Sequence, residues 1–263
     1  MRSFFSRHRL TLMRVFAALY GTFFLAAIPN AISPWGALSF GTGVQALPLH
    51  RWSAALAGGP DLGLAALLFY LVWRPLLAPI ALQALALELL VFLGANGPFV
   101  PRFATWAWIA IPGILVLALY PKPRDLLTAP WSAGVNRPLL GMGLLVAIFL
   151  LPDAAQTFAV PIRNPAAYDW AGNGEHLINL SLTAVLAGMN RPGARVVGVV
   201  AGAGLAFLGA AAIKVPHDPG SWGTLGGGLA IVVGLCIAAT VAYDWRRSGE
   251  TAVVYLEVVR ADA

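Results

Sequence analysis

Long apolar segments run through the chain from end to end, and they constrain its fold more than any other feature. Of the 263 residues, 59% are apolar and only 11% are charged. A soluble domain carries roughly 25% charged residues, so a water-soluble enzyme of this composition is excluded. A disordered chain is excluded as well, because such chains are polar and charge-rich. We therefore predict an all-α protein, a polytopic helical bundle in a membrane.

Eight apolar segments are candidates for spanning helices, each of which needs about 20 mostly apolar residues. They cover residues 12–28, 61–73, 76–93, 104–119, 138–151, 175–189, 194–213 and 222–243. The basic stretch before the first segment resembles the start of a signal peptide. No convincing small-residue cleavage site follows it, so we predict a retained first helix.

The basic residues are divided unevenly between the two sides of this eight-span arrangement. With the N-terminus inside, all but four of the 17 lie on the inner side, the exceptions being Arg51, Arg102, Arg163 and Lys214. Short loops rich in lysine and arginine face the cytoplasm. We predict a multi-pass inner (plasma) membrane protein with both termini cytoplasmic. Topology then explains the net charge of +6, so no nucleic-acid partner is expected.

The two halves of the chain share landmarks in the same order. An Arg-Pro pair joins the second and third segments at Arg74-Pro75 and the sixth and seventh at Arg191-Pro192. Because four spans is an even number, two copies would share one orientation, as parallel repeats do. The alternative is that proline starts these helices independently. The predicted division is a four-helix repeat, a cytoplasmic connection, a second four-helix repeat and a cytoplasmic tail, at residues 1–121, 122–137, 138–243 and 244–263.

Both predicted repeats carry a long outer loop, residues 31–60 and 153–174, rich in proline, glycine and aromatic residues. The segments that follow these loops are the shortest, and short segments at matching repeat positions are typical of a binding site. The alternative is that both helices begin earlier, within the loops. In the tail, the valine-rich residues 251–259 predict a short strand or a partner-binding segment.

Glu88 lies near the middle of the third segment, where an ionised carboxylate is costly unless it is paired or faces a polar cavity. It is a candidate proton or cation site, or an anchor for a quinone or polar lipid. The alternative is a protonated glutamate that bonds to a neighbouring helix.

A polar stripe begins the sixth segment. His176, Asn179 and Thr183 follow the i, i+3, i+7 spacing of one helix face, and such a stripe faces the bundle interior rather than lipid. With Glu175 in the first turn, it is either a helix cap with interhelical hydrogen bonds or a ligand, ion or proton site. The ligand or ion candidates are therefore Glu88, Asp61, Glu175, His176 and Asn179.

Metal and nucleotide sites have little support in the sequence. The histidine candidates for a metal are His50, His176 and His217, but no two have helical ligand spacing, so we predict no metal site. Cys236 is the only cysteine and cannot form an intrachain disulfide. No P-loop, nucleophile elbow or other catalytic motif is present, so catalytic residues are not identifiable and an enzyme is the less favoured class.

Glycine spacing predicts close helix packing. Gly198 with Gly202, and Gly223 with Gly227, form two GxxxG pairs of the kind that let membrane helices approach closely.

The layout of each half resembles the DoxX-like four-helix membrane proteins. The similarity lies in the basic start of the first helix at Arg14, the long outer loop, and the basic turns at Arg74-Pro75 and Arg191-Pro192. The resemblance implies two such units in tandem. Some members of that family are membrane subunits of quinone-linked sulfur oxidoreductases or partners of redox enzymes, so it also implies a redox-linked role.

These observations favour an accessory or structural subunit that packs in a larger membrane assembly, which the resemblance implies is quinone-linked. Its partners would be the lipid bilayer and either other membrane proteins or further copies of itself. One alternative is a small-solute or ion transporter that uses an intramembrane carboxylate. The other is an intramembrane enzyme acting on a lipid or isoprenoid, with Glu88 or Glu175 as general acid. The cofactor is not identifiable, and quinone and lipid are the candidate classes.

Overall fold

Helices follow the apolar segments in order. The computed structural model describes residues 2–36, 51–96, 103–163 and 169–247, and within them no strand is present. The helices are α1 (Arg2–Phe24), α2 (Ile28–Ile32), α3 (Arg51–Trp73), α4 (Pro79–Asn96), α5 (Phe103–Leu119), α6 (Pro123–Leu127), α7 (Arg137–Arg163), α8 (Asp169–Ala187), α9 (Ala194–Lys214) and α10 (Gly223–Arg247). The predicted all-α class is confirmed. The strand predicted at 251–259 lies outside the described residues.

Within the described ranges, five stretches of helix are long and apolar enough to cross a membrane: His8–Ile32, Arg51–Trp73, Arg137–Val160, Ala194–Lys214 and Gly223–Trp245. Shorter apolar helices occupy Pro79–Ala95 and Ile109–Leu119. Large apolar side chains point outwards from the bundle, including Ile148, which is 70% exposed, and Leu225, which is 80% exposed. Soluble monomers rarely expose extensive apolar surface. Length, composition and surface therefore agree with a membrane protein.

The prediction of two short segments was wrong, because both helices begin within the predicted outer loops. Helix α3 runs through Gly58, Gly59 and Pro60, and α8 runs through the glycines before Glu175. Glycine and proline are poor helix formers, which is why the sequence pattern stops there. Close packing of α3 against α2 outweighs that preference. Glycine is required at this contact, because a Cβ on Gly58 would collide with the backbone of Ala31.

Pro29 and Pro152, which directly follow the predicted segments 12–28 and 138–151, lie inside helical stretches. Helix α7 continues past Pro152 to Arg163, so much of the predicted loop 153–174 is helical. Near Pro29 the chain tightens into a 3₁₀ turn at Leu25–Ala27 and then resumes as α2. A proline lacks the backbone N–H and crowds the carbonyl four residues earlier. Both helical stretches nevertheless continue past their prolines.

The helices of the two halves pack in matching patterns. In the first half, α1 packs against α3 and α5, and α4 packs against α5. In the second half, α7 packs against α8 and α10, and α9 packs against α10. The halves meet through a four-helix contact in which α3 and α4 each touch both α8 and α9. One buried apolar cluster lies mainly in each half.

Helices α9 and α10 approach most closely along a glycine seam, formed by Gly202 and Gly209 of α9 with Gly227 and Gly234 of α10. A Cβ on Gly209 would lie 2.5 Å from the carbonyl oxygen of Gly227, and one on Gly202 would lie 2.7 Å from that of Gly234. Of the predicted packing glycines, Gly202 and Gly227 lie in this seam. Gly223 instead starts α10, with a φ of 66° that favours glycine.

Arg191 joins the connection between the halves to the bundle. Its guanidinium donates to the amide oxygen of Gln83 (3.1 Å) and to the carbonyl oxygens of Thr128 (2.9 Å) and Asp125 (3.0 Å). The buried Gln83 Nε2 donates to the carbonyl oxygens of Leu126 (3.0 Å) and Thr128 (2.8 Å). Together these side chains satisfy the carbonyl groups that the short helix α6 leaves free at its end.

Two further contacts close this end of the bundle, which we call the basic end and define as the end where α1 begins and α5 finishes. Arg9 donates to the carbonyl oxygens of Ala118 (2.6 Å) and Leu119 (3.1 Å). The Tyr120 hydroxyl donates to Asp125 Oδ2 (3.2 Å). Burial, and then the neighbouring Asp125 carboxylate, raise the pKa of Tyr120, so the hydroxyl keeps its proton and the hydrogen bond persists.

We expect Arg191→Leu to lower the free energy of unfolding by about 2–3 kcal/mol, because each hydrogen bond to a charged group contributes roughly 1.5–3 kcal/mol. Chemical unfolding of the detergent-purified protein measures the change. Arg124→Leu is the control, since Arg124 is an exposed arginine on the same connection and should shift stability by less than about 0.5 kcal/mol. Equal shifts for the two variants would contradict the role given to Arg191.

Candidate functional site

A cavity of about 380 Å³ lies between the helices of the first half and α8 of the second half, at the end opposite the basic end. Its polar lining consists of Asp61 from α3, Glu88 from α4, and Glu175 and His176 from α8. We call it the carboxyl cavity. The structure therefore brings together four of the five residues predicted as ligand or ion candidates, and it places the fifth, Asn179, one turn further along α8.

Asp61 and Glu88 face the carboxyl cavity from two helices of the first half. Asp61 follows Gly58-Gly59-Pro60, so the extension of α3 through those residues places the carboxyl group within the helix rather than at its start. Glu88 lies midway along α4, among buried leucines and alanines. Within the part of the chain that the structure describes, neither carboxyl group has a hydrogen-bonding partner.

Glu175 is buried and bonded within its own helix. Asn179 Nδ2 donates to Glu175 Oε1 at 3.3 Å, and both side chains are 5% exposed. Because α8 begins at Asp169, Glu175 is one and a half turns inside the helix. Its interpretation as a helix N-terminal cap was wrong, since the sequence pattern placed the helix start too late.

His176 adds an unpartnered polar atom to the same wall. Its Nδ1 is buried, and no hydrogen-bond partner for it occurs among the described residues. The same holds for Asn179 Oδ1. Buried polar atoms are nearly always hydrogen-bonded in native proteins, so each exception calls for an explanation.

Aromatic side chains form much of the remaining wall. Tyr20, Phe23 and Phe24 contribute from α1, and Phe92 contributes from α4. The Tyr20 hydroxyl donates to the carbonyl oxygen of Ile109 at 2.7 Å, so its polar group is already occupied. Sequence analysis missed these residues, because nothing separates an aromatic residue that lines a cavity from one that faces lipid in a uniformly apolar helix.

The described lining of the cavity carries acidic groups without basic ones. Three carboxyl groups line it, and no lysine or arginine is among the residues that form its described lining. Uncompensated charge in apolar surroundings costs several kcal/mol per ion, so a carboxylate here needs a neutralising partner. Protons or a bound cation can both serve as that partner.

Among the described residues, the histidine candidates are not gathered into a metal centre. His176 lies at the cavity, His217 is an exposed residue between α9 and α10, and His50 falls outside the described residues. Within residues 2–36, 51–96, 103–163 and 169–247, no three His, Cys, Asp or Glu side chains are gathered closely enough to hold a metal ion. The three cavity carboxyl groups are thus distributed around the space rather than directed at one point.

Other acidic residues at the same end stabilise the fold. Asp153 Oδ2 accepts a hydrogen bond from Trp222 Nε1 at 2.9 Å, and Asp218 Oδ2 accepts one from the backbone N–H of Trp52 at 3.2 Å. The second contact places a carboxylate at the N-terminus of α3, where the helix dipole favours negative charge. These acids are therefore separate from the carboxyl cavity.

Comparisons of the chain with protein-family models, curated proteins and solved structures found no match in any of the three. The assignment of function therefore depends on the chemistry of the carboxyl cavity.

Proposed function

We propose that this chain is a membrane carrier that binds a small cationic solute in the carboxyl cavity and exchanges it for protons. The observation that carries the proposal is the convergence of Asp61, Glu88 and Glu175 from three helices on one cavity whose described lining holds no basic residue. Ionisable residues inside a membrane bundle are costly, and they mark ion or substrate pathways and proton relays.

The proposed topology has eight spans, with both termini on the cytoplasmic side of the inner membrane. Helices α4, α5 and α8 would cross beside the five longer helices, each packed against other helices of the bundle. The contact of Arg9 with the end of α5 supports an even number of spans in the first half. The excess of basic residues supports a cytoplasmic basic end, which puts the carboxyl cavity towards the outside.

The matching packing of the two halves supports a parallel repeat. The four-helix contact between the halves pairs α3 with α8 and with α9, and pairs α4 with the same two helices. A two-fold axis between the repeats would produce this arrangement. Helix α3 would then meet its equivalent α8, and α4 would meet its equivalent α9. In this proposal each half has the four-helix layout of the DoxX-like membrane proteins.

Cysteine labelling tests the proposed topology. In a Cys236→Ser background, we expect Arg124→Cys to react with a membrane-impermeant maleimide only in inside-out vesicles. His217→Cys should react only in right-side-out cells, because the residues lie at opposite ends of the bundle and both are exposed. If both cysteines react from the same side, the even-span topology is wrong.

Proton exchange can be measured directly in proteoliposomes that contain a pH-sensitive dye. Sodium, potassium or guanidinium would be added outside in turn under an imposed pH gradient. We expect at least one cation to drive proton efflux faster than in empty liposomes, and to raise the melting temperature of the purified protein. If no cation does either, the carrier proposal is wrong.

A second candidate function is an accessory subunit that holds a quinone or lipid head group in the same cavity. The aromatic wall favours it, because Phe23, Phe24 and Phe92 offer an apolar surface beside groups that can form hydrogen bonds. Organic extraction of protein purified from native membranes tests this candidate. A stoichiometric quinone or lipid that Glu88→Gln removes would support it, and a clean extract would contradict it.

A further inference from the structure

We infer that the solute is an organic ammonium or guanidinium compound with an apolar body, and that His176 binds its charged group together with the cavity carboxylates. The inference rests on the proposed function, because it names the chemical class of the cation. It adds a prediction about the size of the ligand and a role for His176. Cation exchange alone requires neither.

The size of the carboxyl cavity favours an organic ligand over an inorganic ion. A water molecule takes up about 30 Å³ of liquid volume, so an inorganic ion of similar size fills a small part of about 380 Å³. Pockets for organic ligands begin at about 300 Å³. The carboxyl groups also lack the close clustering that metal coordination requires, within the described parts of the chain.

The composition of the wall matches the two parts of such a ligand. Carboxylates accept short, charge-assisted hydrogen bonds from ammonium and guanidinium N–H groups. The aromatic rings of Phe23, Phe24 and Phe92 cover the apolar body, and a cation over an aromatic face is attracted electrostatically. A purely inorganic ion would have no use for this apolar surface.

His176 is the residue with an unexplained polar atom at this wall. Its Nδ1 is buried and has no partner among the described residues, while its sequence neighbour Glu175 faces the same cavity. A neutral imidazole nitrogen can accept a hydrogen bond. If the imidazole ring turns to bring Nδ1 to the cavity, a ligand N–H would satisfy the nitrogen and place the positive charge beside the Glu175 carboxylate.

Three probes separate charge from apolar body: benzylammonium has both, benzyl alcohol has the body alone, and sodium has the charge alone. Binding would be measured by calorimetry on the full-length protein in lipid nanodiscs. We expect benzylammonium to bind at least about tenfold more tightly than either other probe, since tenfold corresponds to one well-formed polar contact. If sodium binds as tightly, the organic class is wrong while cation exchange stands. If benzyl alcohol binds as tightly, or if no probe binds although a cation moves protons, the inferred ligand class is wrong while cation exchange stands. If no probe binds and no cation moves protons, both proposals fail.

Variants at His176 test its role separately. His176→Leu should weaken benzylammonium binding about tenfold or more, whereas His176→Asn keeps an acceptor near Nδ1 and should restore most of the affinity. The melting temperature without ligand is measured for both variants, and we expect His176→Leu to match or exceed the wild type, because it removes a buried unpartnered atom. Unchanged benzylammonium affinity in His176→Leu would overturn the role of this residue.

Discussion

Replacement of Glu88 by glutamine is expected to reduce cation-coupled proton flux about 100-fold. Glutamine keeps the shape of the side chain and its ability to form hydrogen bonds, but it can neither release a proton nor balance a positive charge. Loss of one partner of a buried charge pair costs about 3–5 kcal/mol, and about 1.4 kcal/mol corresponds to a tenfold change in affinity. The flux is measured in proteoliposomes with the cation that proves active for the wild type.

Asp153→Asn is the matched control for the Glu88 variant. Asp153 lies at the same end of the bundle and bonds to Trp222, and the amide oxygen of asparagine can accept the same hydrogen bond. We expect this variant to keep flux within about twofold of the wild type, because the hydrogen bond is retained and Asp153 does not line the carboxyl cavity. Equal losses in both variants, or full flux in Glu88→Gln, would remove the carboxyl cavity from the mechanism.

The second large effect is expected from Gly227→Ala in the glycine seam. A Cβ at this position would lie 2.5 Å from the carbonyl oxygen of Gly209 and 2.9 Å from the Ile213 side chain. Backbone cannot move aside as a flexible side chain can, so α9 and α10 must separate. Forcing extra volume into a well-packed contact costs about 1–3 kcal/mol. Reversible unfolding in mixed micelles measures the loss of stability.

Gly228→Ala controls for helix propensity, since it makes the same chemical change one residue further along α10. A Cβ at Gly228 would meet nothing within 4 Å. Alanine is favoured over glycine in a helix by about 1 kcal/mol, so this variant should be neutral or slightly more stable. If the two variants have the same stability, close packing at the glycine seam is not what stabilises the α9–α10 pair.

Sequence analysis located most of the carboxyl cavity because its residues are anomalies in their surroundings. A glutamate in the middle of an apolar segment, such as Glu88, or a polar stripe such as His176 and Asn179, is recognisable without any tertiary information. Tyr20 and Phe92 carried no such signal, since an aromatic residue is ordinary in a membrane helix.

The helix boundaries were less predictable, because they depend on contacts between helices. Gly58 and Pro60 disfavour a helix locally, yet α3 continues through them against α2. Likewise, sequence analysis found no role for Gln83, whose amide bonds with Arg191 and with the connection between the halves. The partners of such a residue are distant in sequence and have no local pattern.

The sequence by itself determined that the chain is helical and suited to a membrane, since hydropathy and charge placement act residue by residue on the transfer from water to lipid. It also determined which polar groups are too costly to be left facing lipid. Only the tertiary structure decided that Asp61, Glu88, Glu175 and His176 share one cavity, and which glycines bring α9 against α10. Those outcomes depend on distances between helices that are far apart in the chain, and such distances are set by packing.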